Sequence, residues 1–337
     1  MKFYLFRSDL KILENYHQYN NLKDFKKNCW DFYLIMLLNL LENDYFDEVV
    51  IWRLFDKKKD DIVFNLPGKK RFIQRWVKSL DKVFNYPSPE ISLFRGGFKI
   101  YDDITKKNPK FFGSKLYLGA NGPRRYPIYG GIYDKILVED ERDIKKKCFP
   151  FYKIGVPNIF KPLYLEKKWD ICFPANSTQI KYKGQEYFIQ QIAKSKFLKS
   201  LKIVSVGNKP DIIRKLCRNY KITNIECLDR VSRIELNRIL NMSKFGVVSS
   251  NNRDGTPRIS TEILRSGTPL LIRKQTRLLK YYRQLDYVKT FDDDKFKHVY
   301  READSKYKEL RQKNLEALEN ELNLDVIMNM NLKLWES

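Results

Sequence analysis

The chain has 337 residues, 43% of them apolar, and its 22 Phe and 21 Tyr are enough to fill two cores of about 150 residues each. Wholesale disorder is therefore excluded. Lys and Arg total 65 against 41 Asp and Glu, a formal net charge of +24; such a surplus either draws polyanions (nucleic acid, anionic lipid, phosphorylated small molecules) or is spread over solvated faces. Five scattered cysteines form no CxxC pair and read as reduced thiols, and two histidines, His17 and His298, are too few for a His/Cys zinc cluster. His17 reads as a surface residue rather than a base.

In chain order, "MKFYLFRSDL" opens with an apolar patch broken by Arg7 and Asp9, too short for a signal peptide, and no later run approaches the roughly 18 apolar residues of a membrane span. A cytoplasmic protein is expected, with a charge that also allows peripheral contact with an anionic membrane surface. Short β-rich runs then alternate with helical patterns, as in a parallel sheet covered by helices. The first half predicts strands at "KFYLF", "EVVIWRLF", "DIVFNL", "ISLFRGG", "KLYLG", "KILVED" and "YKIGV". Helices are predicted over "NCWDFYLIMLLNLLEN" and "KRFIQRWVKSLDKVF". Together they make a first doubly wound domain over residues 1–160.

"GVPNIFKPLYLEKKWD", with two prolines and a charged end, reads as a linker. The alternation restarts with strands at "DICFPA", "KIVSVGN", "NIECLD", "KFGVVSS", "PLLIR" and "YVKTF". Helices fall at "GQEYFIQQIAKSKFL", "DIIRKLCRNY", "RIELNRILNM" and "TPRISTEILRS". A second α/β domain over 168–300 follows, and the charged run "READSKYKELRQKNLEALENEL" predicts one or two surface helices in a tail, 301–337. The fold class is thus α/β, with two doubly wound sheets implying a cleft at the carboxyl ends of their strands.

One stretch is unusually punctuated: "NNRDGTPRISTEILRSGTPLLI", residues 251–272. It predicts a strand, a loop through Asp254, a helix from about Pro257 to Ser266 with Thr256 as N-cap, a left-handed cap at Gly267, and another strand. The free N–H groups of that helix start suit phosphate or sugar oxygens. Asp254 on the loop and Glu262 on the second helical turn can each accept several hydroxyl hydrogen bonds.

"DGTPRISTEILRSGTPLL" resembles the E-x7-E segment of GT-B glycosyltransferases of the family 4 type, with Asp254 in place of the usual first Glu. Ile263, Leu264 and Arg265 depart from the small-residue positions around the second carboxylate. The resemblance covers residues 130 to 290 and implies two Rossmann-like domains facing across a cleft. The implied reaction is transfer of a sugar from a nucleoside diphosphate sugar to a hydroxyl of a glycan, lipid or protein-linked acceptor, with retention and without a metal. No cofactor is implied beyond that donor substrate. "ICFPANSTQIKYKGQEYFIQQIA" is similar to the family's first nucleotide-domain strand and its Lys-Gly element. Lys183 would then bind the pyrophosphate, with Lys181 standing for the companion basic residue.

The resemblance further implies that Gly207, Arg230 and Val231 lie along the donor's nucleotide, that Glu262 holds the ribose, and that Asp254, Gly255, Thr256 and Pro257 orient the sugar. The acidic runs "YDDI" and "FDDD" read as solvated turns, so no metal site is expected. In the first domain "LFRGGF" supplies Arg95, Gly96 and Gly97 as a candidate active-site loop, with Arg95 suited to a phosphate or acidic acceptor. "GPRRYPIYGGIY" could form an acceptor-side loop with stacking rings. Two other readings stay open: a basic nucleic-acid-binding protein, and a nucleotide-sugar binder without turnover. Because the basic residues are spread along the whole chain and no recognised RNA-binding motif is present, no specific nucleic-acid partner is expected.

Overall fold

The computed structural model describes residues 1–7, 21–29, 31–54, 60–96, 99–119, 131–144, 148–174, 180–251 and 257–336, without the side chains at 141 and 181. Asp254, Gly255, Thr256, Gly97, His17 and residues 122–130 of the aromatic loop lie outside the described residues. The chain forms two compact units, Met1–Phe151 with Met328–Ser337, and Tyr152–Ile327.

The first unit is built on strands β1 (Lys2–Arg7), β2 (Glu48–Leu54), β3 (Ile62–Asn65), β4 (Arg71–Val77), β5 (Ile91–Arg95), β6 (Ser114–Leu118), β7 (Lys135–Val138) and β8 (Cys148–Pro150). Their order is β3-β4-β2-β1-β5-β6-β7-β8, parallel throughout except for the antiparallel edge strand β3. The central strand β1 is buried on both faces from Phe3 to Phe6, which is why it reads as a continuous apolar run rather than an alternating one. One face is an aromatic core, with Phe6 stacked on Phe94 at 4.7 Å and Trp52, Tyr101 and Phe112 around them. The other face carries helix Phe32–Glu42, capped by Asp31, whose carboxylate accepts from the Tyr33 N–H at 3.0 Å.

Three sequence expectations fail here, one of them at "YDDI", which is no solvated turn but part of helix Lys99–Lys107 with Tyr101 and Asp102 buried. "KRFIQRWVKSLDKVF" is not a helix: Arg71–Val77 is β4, followed by a 3-10 turn at Leu80–Asn85. Phe72 and Gln74 are buried on one face and Ile73 and Val77 on the other. A strand covered on both sides has its apolar residues at spacings that also satisfy a helical period, and pairing with β2 and β3 decides between the two. "YKIGV" is irregular, and the edge strand lies just before it at Cys148–Pro150.

The second unit holds β9 (Trp169–Pro174), β10 (Ile203–Val206), β11 (Ile225–Leu228), β12 (Ser243–Val248), β13 (Leu270–Arg273) and β14 (Val288–Phe291). All are parallel in the order β11-β10-β9-β12-β13-β14, so the winding reverses between β9 and β12. The segment expected to be a linker is instead packed within this unit, with Val156, Ile159 and Phe160 buried. Its backbone is held by two amide side chains: Asn237 accepts from the Lys161 N–H at 3.2 Å and donates to its carbonyl at 3.0 Å, and Asn241 accepts from the Leu163 N–H at 2.8 Å. Its prolines mark an extended, side-chain-bonded strap rather than a free connection.

The C-terminal segment is divided between the two units. Helices Phe296–Ser305 and Tyr307–Glu316 belong to the second, whereas helix Leu324–Glu336 delivers its residues from Met328 onward to the first. Trp335, 2% exposed, packs against Phe3 at 5.7 Å and Phe151 at 6.5 Å. Lys135 donates to the Leu334 and Trp335 carbonyls at 2.7 and 3.0 Å, closing the helix end. Trp335→Ala removes a core side chain of the first unit and is expected to cost about 3–5 kcal/mol, read as an earlier urea transition.

Candidate functional site

In open α/β sheets ligands collect at the carboxyl edge where the strand order reverses. In the second unit that point lies between β9 and β12. After β9 the chain resumes in the short helix Ile180–Lys183 and turns at Gly184, whose φ is +70°. A Cβ there would stand 1.9 Å from the carbonyl oxygen of Ser249, the residue just past β12. The Ser249 hydroxyl in turn donates to the Gly184 carbonyl at 2.8 Å and, more weakly, to that of Lys183 at 3.4 Å. The Asn251 N–H donates to the Tyr182 carbonyl at 2.9 Å. The Lys183–Gly184 turn is thus clamped onto the end of β12, where Asn251 stands three residues before Asp254 in the chain.

Residues 252–256 lie outside the described residues; Pro257 is buried and serves as N-cap of helix Arg258–Arg265. The helix begins one residue later than the sequence suggests, because Pro257 keeps an extended backbone at ψ 114°. Gly267 takes the left-handed conformation at its far end, as expected, with its N–H on the Leu264 carbonyl.

Glu262 lies on this helix and is only 2% exposed. Its two oxygens meet different arginines: Oε2 accepts from Arg233 at 2.9 Å, and Oε1 forms an ion pair with Arg258 at 3.2 Å. A carboxylate this deep is tolerable only with such charge-assisted partners. Each oxygen keeps a second lone pair. On its backbone side Gly155 packs so closely that a Cβ there would lie 2.8 Å from the Glu262 Cα. Arg233 opens helix Arg233–Asn241, whose N-cap Ser232 accepts from the Glu235 N–H at 3.1 Å.

Further along the same edge, Gly207 follows β10 and donates its N–H to the Leu228 carbonyl at 3.2 Å. Past β11, Arg230 is exposed and Val231 half-buried. Between these strand ends an open depression is lined by Asn208, Lys209, Asp211, Arg214 and Asp229.

The fold thus places Gly207, Arg230, Val231 and Pro257 on loops and a helix start at this sheet edge, Lys183 at the end of the short helix that also carries Lys181, and Glu262 in the second turn of helix Arg258–Arg265. Arg95 belongs to the other unit, at the end of β5. The residues not foreseen are Arg233, Arg258 and Ser249. The Arg258–Glu262 spacing of four along a helix was a legible signal; the Arg233–Glu262 pair, 29 residues apart, had none. Among the described residues no group of three or more His, Cys, Asp or Glu could hold a metal ion, and no helix is long and apolar enough to cross a membrane.

No family model matches the chain, and no curated protein matches it. Solved structures do. A glycosyltransferase from Rickettsia africae superposes with a TM-score of 0.69 at 11% identity, covering 99% of this chain and 97% of that one. Sucrose-phosphate synthase from Thermosynechococcus elongatus gives 0.66 at 12%, covering 99% and 98%. An alpha-glucosyltransferase in complex with UDP and a 13-mer DNA gives 0.63 at 13%, covering 100% and 99%. The fold is GT-B. At these identities the likeness concerns architecture: two Rossmann-like domains.

Within this GT-B fold the clamp and the carboxylate cluster are separately testable. Gly184→Ala forces a left-handed alanine against the Ser249 carbonyl and is expected to cost about 2–4 kcal/mol by thermal or urea unfolding. Ser249→Ala, which removes only the hydroxyl bonds, should cost about 1 kcal/mol. Arg233→Ala leaves Glu262 with one guanidinium and is expected to cost about 1–3 kcal/mol. A double-mutant cycle with Glu262→Gln should show coupling of at least about 0.5 kcal/mol.

Proposed function

We propose that the chain is a glycosyltransferase that moves a sugar from a nucleoside diphosphate sugar to the hydroxyl of a glycan, lipid or protein-linked acceptor, with retention at the anomeric carbon and without a metal. The observation that carries this reading is the clamp at the β9/β12 reversal. Through it the Lys-Gly turn and the carboxylate-bearing helix share one sheet edge, in a fold whose neighbours include glycosyltransferases.

In the reaction the anomeric C–O bond to the diphosphate breaks, a bond to the acceptor oxygen forms, and the hydroxyl proton leaves with the diphosphate or to solvent. The work asked of the protein is to stabilise charge on the departing diphosphate and on an oxocarbenium-like carbon, which is electrostatic and positional. Lys183, with Lys181 beside it and the free N–H groups at the start of helix Arg258–Arg265, neutralises the diphosphate. Glu262, preset by Arg233 and Arg258, accepts from the ribose hydroxyls. Asp254, with the backbone of Gly255 and Thr256 and the buried Pro257, orients the transferred sugar. Gly207 lets the backbone approach the donor closely, and Arg230 and Val231 border the base. The surplus of positive charge suits peripheral contact with an anionic membrane surface from the cytoplasm.

A second reading, in which nucleic acid is the acceptor, is favoured by the net charge of +24 and by the DNA in one neighbour's structure. Thermal shifts with UDP, GDP and ADP, followed by turnover of a nucleotide-sugar panel, test the main reading. One diphosphate should stabilise the fold, Lys183→Ala should weaken that nucleotide roughly tenfold to a hundredfold, and Glu262→Ala should abolish turnover. Absence of any nucleotide shift, together with an inert Glu262→Ala, would sink it. Binding to an oligonucleotide that weakens steeply with salt would favour the second reading.

A further inference from the structure

The depression past β10 and β11 lies on the same carboxyl edge as the Lys183–Gly184 turn, one and two strands beyond β9. Neighbouring strands are about 4.8 Å apart, so it stands roughly 5 to 10 Å along the edge from the end of β9, the reach of a nucleoside from its diphosphate. Arg233, which donates to Glu262 at 2.9 Å, follows Asp229 closely in the chain, so one short segment joins the depression to the carboxylate cluster.

Part of its wall is closed on itself. Asp211 and Arg214 pair at 2.7 Å, and Arg214 also donates to the Cys227 carbonyl at 2.9 Å. Asn208, Lys209 and Asp229 are not consumed in this way. Oδ1 of Asp229 accepts from the Arg230 N–H at 2.6 Å, which sets the carboxylate's orientation, and among the described residues Oδ2 meets no donor. Among them, too, the Lys209 ammonium meets no acceptor, although Asp229 lines the same depression. Lys209 is also placed at a cost. Its backbone is left-handed, φ 55° and ψ 61°, where glycine is at ease, and it caps helix Pro210–Asn219, whose positive end disfavours a cation. A glycine would serve the fold better at this position.

An ammonium and a carboxylate held apart in one depression match a base that sets two donors side by side on one edge and two acceptors side by side on another. Of the common bases only guanine does so: N1–H and the N2 amino group face a carboxylate together, and O6 and N7 face a cation together. Uracil offers a single N–H between two carbonyls, which a carboxylate repels. Adenine and cytosine each set one amino group beside a ring acceptor. A phosphate is opposed there by Asp211 and Asp229. We infer that the depression takes the donor's base, that this base is guanine, and that Asp229 and Lys209 select it, so that the donor is a GDP-sugar. The assignment rests on the glycosyl-transfer reading and names the class of its donor.

The test uses the full chain and compares direct binding of GDP, IDP, ADP, UDP and CDP by the native protein, Asp229→Ala, Lys209→Gly and Lys183→Ala. IDP differs from GDP only in lacking the N2 amino group. Native protein should bind GDP roughly tenfold to a hundredfold more tightly than IDP or the other diphosphates, and Asp229→Ala should bring GDP and IDP to within about twofold of each other. Lys209→Gly should weaken GDP roughly tenfold while raising the thermal midpoint of the free protein. Lys183→Ala should weaken every diphosphate alike and leave the ratio of GDP to IDP as it was. Tighter binding of any diphosphate other than GDP overturns the inference, as does a ratio of GDP to IDP that Asp229→Ala leaves unchanged. In either of those cases Lys183-dependent binding of a diphosphate keeps the glycosyl-transfer reading standing. If no diphosphate binds at all, both fall.

Discussion

Parallel strands impose one constraint from which the rest of this protein follows: each strand must be reached by a crossover that returns over the sheet, so all of them end at the same edge. In both units that edge collects the loops and helix starts, and in both the order of winding reverses at the first strand in sequence, β1 or β9. A reversal leaves the loops on its two sides turning apart, with backbone N–H groups and side chains directed at the gap. Chemistry-bearing residues far apart in sequence meet there because the topology brings them, not because local sequence does.

The two edges are finished differently. At β9/β12 the edge is closed by backbone: a glycine turn lies directly on a serine carbonyl, and the carboxylate that follows is buried under two arginines. The carboxylate's position is over-determined, as a group needs to be if it is to orient a hydroxyl-rich ligand without moving. At β1/β5 the edge is finished by side chains in register, with an aromatic ring supporting the outermost guanidinium. One edge is fixed by main-chain contact and a buried ion-pair cluster, the other by a row of arginine side chains in register.

Much of the second unit was legible, and particular residues show why. Its strands are short, bounded by Gly, Asn, Asp or Pro, and separated by helices with clear caps such as Ser232 and Ser195. The first unit was harder. Arg71–Val77 mimics a helix because both of its faces are covered, and a strand without a polar face has no period of two to show. The proline-bearing strap at 155–163 looked like a linker because its hydrogen-bond partners, Asn237 and Asn241, lie more than seventy residues away. Of the candidate site, the Lys183–Gly184 turn and Glu262 entered through the resemblance to the family's motifs, whereas Arg233, the partner that fixes Glu262, carried no signal in the sequence.

Alone, the sequence determined the α/β class, the succession of two wound sheets and the local geometry around 257–267, because periodicity, capping residues and left-handed glycines act within a few residues of themselves. Only the tertiary structure decided that Gly184 must be glycine, that Glu262 is held between two arginines, that the last helix divides between the units, and that Arg7, Arg53 and Arg95 stand in one row. Each of those depends on which strands become neighbours and in what register, and register is set by burial of whole faces rather than by any local stretch of chain.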